Sequence, residues 1–336
     1  MKVHTMTQVI RWGILGTGKI ATAFATALQD TPGAQLVAVA SRSVDSANKF
    51  GAQFGVTRCH GSYQGLADDD QVDVVYIATP HPMHHENAIM CLNGGKALLV
   101  EKSFTMNRRQ AEDIINLARA KKLFVMEAMW TRFMPAVVEA KRIVDSGEIG
   151  VPANVNVDFG FTADAGPEHR LFNPELGGGA LLDLGIYPLS MSSFFLGGVE
   201  GVKAQAEMAA TGVDMQTAFT LQHKGGGVSS CMCSLRSRTP TELTISGTKG
   251  FVRLHDRFHN TDRISVTLVD GASRSERTIE LPKSGNGYTH EAQEVGRCLR
   301  AGLIESPVMP HEETLSIMGT LDAIRAQIGL RYSADQ

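Results

Sequence analysis

Three groups of residues in this 336-residue chain have the types and spacing that do chemistry. The first is Gly16-Thr17-Gly18-Lys19-Ile20-Ala21, a G-x-G-x-x-A run. Its first glycine permits a tight turn, and its second lets a pyrophosphate approach the backbone. The small Ala21 lets the helix that follows pack close to the strand before it. The run points to a dinucleotide, with a ligand-free glycine turn as the plain alternative. The second group is Glu101-Lys102, directly behind an apolar run. In a desolvated site a lysine polarises an alcohol or carbonyl oxygen, or takes part in proton transfer. Spacing alone fits a surface ion pair equally well. The third is Gly177-Gly178-Gly179-Ala180-Leu181-Leu182-Asp183-Leu184-Gly185-Ile186-Tyr187. Asp183 and Tyr187, four apart, share a face of a helix, and the leucines and isoleucine around them make that helix buried. A buried Asp and Tyr need partners, and Lys102 is one candidate. A tyrosine serves as general acid/base for an alcohol where a nearby ammonium favours its phenolate. A core helix with a polar stripe fits the same spacing.

Choice of dinucleotide is read about twenty residues beyond the glycine turn. There the chain runs Ala40-Ser41-Arg42-Ser43, with no carboxylate before Asp45. An Asp at the strand end would hold a ribose 2′-hydroxyl and repel a 2′-phosphate. Arg42 and the hydroxyls of Ser41 and Ser43 would bind the phosphate, which favours NADP over NAD. An exposed Arg42 stacking on adenine suits either cofactor. Further on, Thr79-Pro80-His81-Pro82-Met83-His84-His85-Glu86 invites a metal reading. Pro80 and Pro82 force an extended loop, and the adjacent His84 and His85 diverge on a helix. No metal is expected, and the run reads as a strand-end loop leading into a helix, where open α/β sheets bind ligands.

These groups must be held by regular elements. Residues 9–15 read as a strand, 19–29 as a helix, 35–40 as a second strand and 46–54 as a helix behind it. The unbroken apolar runs 72–79 and 97–100 suit strands buried on both faces. This alternation predicts an α/β fold, a doubly wound Rossmann parallel sheet over 1–128. Beyond it, 129–147 reads as helical, 151–160 as a strand and 180–196 as a helix. Strand-like segments joined by turns fill 202–280, and helices over 288–301 and 312–328 close the chain. Strands in succession without helices predict an α+β domain over 129–336 with an open, mostly antiparallel sheet.

Composition narrows the class. The 32 Lys+Arg and 35 Asp+Glu nearly cancel, which argues against a basic nucleic-acid footprint or a polybasic membrane patch. No apolar run in the sequence approaches the ~20 residues of a membrane span. The five cysteines, Cys59, Cys91, Cys231, Cys233 and Cys298, form no CxxC pair, and Cys231 and Cys233 alternate onto one face of a strand. They read as small apolar side chains in a reducing compartment. Residues 1–8 lack the apolar stretch of a secretory signal, so a cytoplasmic location is expected.

Taken together the motifs resemble the Gfo/Idh/MocA family of NAD(P)-dependent oxidoreductases over essentially the whole chain. They are most similar to the branch that holds dimeric dihydrodiol dehydrogenase and NADP-dependent D-xylose 1-dehydrogenase. The resemblance is carried by Arg11-Trp12-Gly13-Ile14, by Glu101-Lys102, and by Met126-Glu127-Ala128-Met129-Trp130-Thr131-Arg132-Phe133. The Gly178 to Tyr187 stretch and Ser246-Gly247-Thr248-Lys249-Gly250 complete it. It implies that Lys102 and Tyr187 are the catalytic pair, with Asp183 orienting them or the substrate. By the same analogy Thr79, Pro80, His84, Glu101, Trp130 and Arg132 line the nicotinamide and substrate region. Arg42 matches an arginine of the branch near the 2′-phosphate.

Two departures stand out: Ser103 replaces the proline of the family's Glu-Lys-Pro, and Ser46 replaces a second arginine beyond Arg42. The implied activity is hydride transfer between NADP and a hydroxyl or carbonyl carbon of a sugar or cyclic vicinal diol, in a homodimer built through the second sheet. Two alternatives share the fold. One is a glucose-fructose-type oxidoreductase with tightly bound cofactor, which the missing long N-terminal arm disfavours. The other is a non-catalytic NADP-sensing regulator, which the joint presence of Lys102, Asp183 and Tyr187 disfavours. Substrate choice would lie in side chains over 159–170 and near Tyr288.

Overall fold

The computed structural model of the protein describes residues 8–336. The signal-peptide reading concerns 1–8 and so falls almost wholly outside the described residues. The chain forms two compact units, one comprising the residues up to Trp130 with Ser284–Leu315, the other Thr131–Lys283 with Ser316–Gln336.

The first unit alternates strand and helix: β1 (Ile10–Leu15), α1 (Lys19–Gln29), β2 (Ala34–Ala40), α2 (Val44–Phe54), β3 (Arg58–His60), α3 (Tyr63–Ala67), β4 (Val74–Ile77), α4 (His84–Asn93), β5 (Ala97–Glu101), α5 (Arg108–Lys121) and β6 (Val125–Ala128). The six strands pair in parallel in the order β3-β2-β1-β4-β5-β6. The order reverses between β1 and β4, which is where such sheets open a ligand crevice at their carboxyl ends. Every residue of β4 and β5 is buried, as unbroken apolar runs require of strands covered on both faces. The sheet packs on α1 through rings: Phe24 stacks on Tyr76 at 3.8 Å and meets Trp12 edge-on at 5.2 Å. Helix starts follow from local chemistry. The Ser43 hydroxyl accepts from the amide of Ser46, and the Asn107 side chain accepts from that of Gln110. Capping by Ser43 starts α2 at Val44, two residues before the sequence reading placed it.

A single 3-10 turn over Trp130–Phe133 straddles the unit boundary after Trp130, and α6 (Pro135–Asp145) follows in the second unit, where one longer helix is expected from the sequence. Pro135 fits only the first turn of a helix, so it restarts the helix there. Then come β7 (Pro152–Gly160), a π-helical turn (Leu181–Gly185) and α7 (Ile186–Leu196). The strands β8 (Val199–Met208), β9 (Asp214–His223), β10 (Val228–Ser234), β11 (Leu243–Gly247), β12 (Gly250–Leu254), β13 (Arg263–Asp270) and β14 (Ser273–Glu280) complete its sheet. Their order is β14-β13-β12-β11-β7-β10-β9-β8, antiparallel except for the β7–β10 pair. The helical stretch Pro174–Leu196 is long and apolar enough to cross a bilayer by composition, contrary to the reading that no run approaches that length. It is instead the core helix of this unit, with 89% of its most apolar window buried. Cys231 and Cys233 do share a face, buried against that helix, and burial pushes the Cys231 thiol up to about 12.

The chain then returns to the first unit through α8 (Tyr288–Arg300), which packs on α1. Arg300 donates to the Gly33 carbonyl at 3.0 Å and Asn286 to that of Ala23 at 2.8 Å. A single boundary near residue 128 would assign this helix to the second domain. Its buried residues, Ala292, Val295 and Cys298 among them, instead make it part of the first unit's compact core. Last, α9 (His311–Ile328) begins in the first unit, where the His311 ring lies 3.1 Å from the Val125 carbonyl.

Candidate active site

In the first unit the glycine turn closes at the carboxyl end of β1. Gly16 has φ +109°, and its amide donates to the Ala40 carbonyl at 2.9 Å. A Cβ there would lie 2.9 Å from the Ala78 carbonyl oxygen, so only glycine fits. Gly18 begins α1 without a side-chain cap, and a Cβ there would meet no protein atom within 4 Å. Ala21, in the first turn of α1, is fully buried. An uncapped helix start fronted by a side-chain-free position suits a pyrophosphate, so these residues fit a dinucleotide. Lys19 and Ile20 form the first turn of α1, and Thr17 lies 3.5 Å from the hydroxyl of Ser41.

The three residues nominated for the 2′-phosphate divide by availability. Ser41 is buried, and the Ser43 hydroxyl is occupied as the cap of α2. Arg42 is exposed just beyond β2 and makes no hydrogen bond or ion pair among the described residues.

At the ends of β4 and β5 the loops are tied together by His84. Its ring is fully buried, with Nε2 2.8 Å from the Thr79 carbonyl and Nδ1 3.0 Å and 3.3 Å from those of Ser103 and Phe104. Burial lowers the pKa of His84. With backbone carbonyls against both nitrogens, the ring ties the loops through its N–H and presents no free nitrogen to a ligand. Thr79 accepts from Asn87 at 3.1 Å, and Pro80, exposed, leads into a 3-10 turn over His81–Met83. The Lys102–Ser103 peptide is cis, with serine where the family has proline. Glu101 is buried; Tyr76 donates to its Oε1, and its Oε2 accepts from the Lys102 amide at 3.1 Å. Lys102 itself is half-buried, and its carbonyl lies 3.1 Å from His81 Nε2. His85 turns away to Asp113 on α5 at 3.2 Å, so the neighbouring histidines diverge.

Sequence reasoning missed two further carboxyls here. Glu127 Oε1 accepts from the Phe104 amide at 3.1 Å and its Oε2 from Thr314 at 3.2 Å, which fixes the segment behind Lys102. Glu291 on α8 is fully buried, and neither of its oxygens has a hydrogen-bond partner among the described residues. Burial and the charge of Glu101 hold its carboxyl well above the usual carboxylate range. Nothing in the spacing around Glu291 distinguishes it from a surface helix glutamate. Trp130 is buried and stacks on Tyr288 at 4.5 Å. A cavity of about 520 Å³ lies at the opposite, amino-terminal edge of the sheet, around Lys96 and Phe124, and holds none of the nominated residues.

In the second unit Tyr187 sits in the first turn of α7, nearly buried, tilted against Phe159 at 5.3 Å and His259 at 5.7 Å. Phe159 and His259 stack on each other at 4.4 Å. His259 comes from a turn between β12 and β13 that carries no sequence signal. The expected α-helix over 180–196 is π-wound from Leu181 to Gly185, so the four-residue spacing of Asp183 and Tyr187 does not place them one above the other as in an α-helix. Such wide turns recur at functional sites. Gly185 permits it, since a Cβ there would lie 2.9 Å from Cys233 Sγ and 3.0 Å from Leu181 Cδ1. The Asp183 carboxylate receives the Arg170 guanidinium, Nη1 to Oδ1 at 3.2 Å and Nη2 to Oδ2 at 3.4 Å. Arg132 is buried and braces α7: its Nε donates to the Ser190 hydroxyl at 2.9 Å, its Nη2 to the Ser190 carbonyl at 2.8 Å, and it lies over the Phe194 ring.

Fold and turn together define a dinucleotide-binding Rossmann unit in a chain that also carries an open-sheet unit. Residues 10–129 match the model of an oxidoreductase family with an NAD-binding Rossmann fold, and residues 137–253 that of the GFO/IDH/MocA C-terminal domain. The chain is 35% identical to trans-1,2-dihydrobenzene-1,2-diol dehydrogenase of Mus musculus, over 98% of this chain and 100% of that protein. The Danio rerio enzyme of that name is also 35% identical, over 98% and 99%. The chain belongs to the Gfo/Idh/MocA family of oxidoreductases. Among solved structures, a 3-ketoreductase from Actinomadura kijaniata in complex with NADP and TDP-benzene superposes with TM-score 0.83 at 26% identity, covering 95% of this chain and 98% of that one. A levoglucosan dehydrogenase in complex with NADH shares the fold, with TM-score 0.87 at 20% identity over 95% and 97%.

Proposed function

We propose that this protein is an NADP-dependent dehydrogenase acting on a hydroxyl carbon of a sugar or cyclic vicinal diol. Tyr187 carries the reading: a phenol packed against the stacked Phe159–His259 pair at the start of a buried helix, in a family of oxidoreductases. When bound, the nicotinamide supplies the hydride acceptor. Tyr187 takes the proton of the substrate hydroxyl as general base, and returns it when a carbonyl is reduced. Lys102 is assigned by resemblance as the other member of the catalytic pair. The Asp183 carboxylate, ion-paired with Arg170, orients the reacting groups. Arg42 supports NADP, since it is free to meet a 2′-phosphate and no carboxylate stands where NAD would need one. The names of the 35%-identical relatives support a diol, and that of the levoglucosan dehydrogenase a sugar. Oxidation of an aldose at its anomeric carbon would yield a lactone.

The test is turnover of a panel of aldoses, D-xylose included, and of trans-diols, trans-1,2-dihydrobenzene-1,2-diol included, with NADP and with NAD. Tyr187→Phe should lower kcat on the best substrate by about 10²–10⁴-fold, the range general acid–base catalysis supplies. Near-normal turnover by that variant would sink the assignment.

A further inference from the structure

We propose that Asp214 is a positioning residue for this reaction, the buried anchor that fixes where the helix bearing Asp183 and Tyr187 begins; the inference rests on the role given to Tyr187 above. Asp214 opens β9 and is fully buried. Its Oδ2 accepts from the Leu181 amide at 2.8 Å and from the Thr217 hydroxyl at 2.7 Å. Its Oδ1 has no hydrogen-bond partner among the described residues and lies against Gly179, where a Cβ would stand 2.3 Å from it. Gly179 has φ +123°, so both its conformation and its closeness to the carboxylate require glycine. On the same turn the Tyr332 hydroxyl donates to the Gly178 carbonyl at 2.5 Å. The glycine turn is therefore gripped by β9 and by the C-terminal segment.

The helix needs such an anchor. Of the eleven residues of α7, nine are buried, so no amphipathic stripe sets its rotation. The π-helical turn has no side-chain cap of its own, and Asp214 satisfies one of its otherwise orphaned amides. A negative charge at that end is also favoured by the helix dipole.

Anchoring through a buried lone carboxylate makes the site pH-sensitive. Burial pushes the Asp214 carboxyl up to about 6, against the pull of Thr217 and the Leu181 amide. The other groups that feel its charge are the Cys233 thiol from β10 and the Tyr332 phenol, neither a cation. Arg325 lies over the Tyr332 ring but is committed to Asp322 and Asp335. Protonation turns two charge-assisted hydrogen bonds into neutral ones about half as strong. The anchored, active form is the ionised one.

The test is the pH profile of kcat, with NADP and the fastest substrate of the panel, for wild type, Asp214→Asn and Thr217→Val. Wild-type kcat should fall as pH drops through about 6. Asp214→Asn should abolish that limb and lower kcat about tenfold through misplacement, with KM for NADP unchanged. Its melting temperature at pH 7.5 should not fall, because asparagine keeps an acceptor and removes a buried charge. Thr217→Val, which withdraws a donor that favours the carboxylate, should move the limb to higher pH, and it keeps the test open if Asp214→Asn does not fold. A limb that stays in place in the variants overturns the proposal. That result beside an inactive Tyr187→Phe refutes Asp214 alone; an active Tyr187→Phe refutes the reading beneath it.

Discussion

Replacing Arg42 with alanine should separate the two nicotinamide cofactors. Arg42 stands exposed just past the end of β2, free of any hydrogen bond or ion pair among the described residues. Its neighbours are less available, since the Ser43 hydroxyl caps α2 and Ser41 is buried. Under the proposed NADP reading, Arg42 would carry most of the recognition of a 2′-phosphate. A hydrogen bond to a charged group contributes about 1.5–3 kcal/mol, and the exposure of this one places it at the lower end. A loss of about 1.5–2 kcal/mol is roughly a 10- to 30-fold rise in Kd. NAD lacks the phosphate, so its Kd should change less than about twofold. Calorimetric titration of wild type and Arg42→Ala with each cofactor measures both quantities. Repeating it in high salt should shrink the NADP effect, because exposed charges are screened. An equal loss for both cofactors would show that Arg42 stacks on adenine, and no loss for either would remove it from the site.

The buried, unpartnered Glu291 makes a stability prediction with a definite sign. Its folded pKa is raised, so the unfolded chain ionises first as pH rises past about 4.5, and stability is lost progressively from there. Glu291→Gln removes that loss, so the variant's gain in melting temperature should grow between pH 5 and pH 8; a gain independent of pH would contradict the account. Phe24→Ala should cost about 3–5 kcal/mol, because it empties the space between Trp12 and Tyr76 under the sheet. Urea unfolding measures that loss, and a value below about 1 kcal/mol would mean that the ring stack contributes little.

Much of the first unit was legible because its signals are local. The Gly16 turn needs a residue with positive φ, and the runs 72–79 and 97–100 need cover on both faces; each requirement is written in consecutive residues. The two-strand, two-helix frame around the cofactor turn follows from them. The strand after α2, the helix α5 and the strand β6 were not singled out, as short or polar segments carry weak periodicity. Candidate side chains were legible as types but not as roles. His84 carries the chemistry of a ligand or a base, yet its two nitrogens lie against backbone carbonyls. Arg132 braces α7 from within the second unit.

By itself, then, the sequence determined most of the strands and helices, where a pyrophosphate can approach the backbone, and which residues are chemically able to move a proton. The tertiary structure alone decided that the helix bearing Tyr187 starts as a π turn, that Asp214 and Tyr332 hold the glycines before it, and that α8 belongs with the first unit. The physical reason is range. Backbone conformation and burial pattern are set by neighbours a few residues away, whereas a buried polar group takes its meaning from its partners. For Leu181 and Asp214 those partners stand 33 residues apart, and for Gly178 and Tyr332, 154.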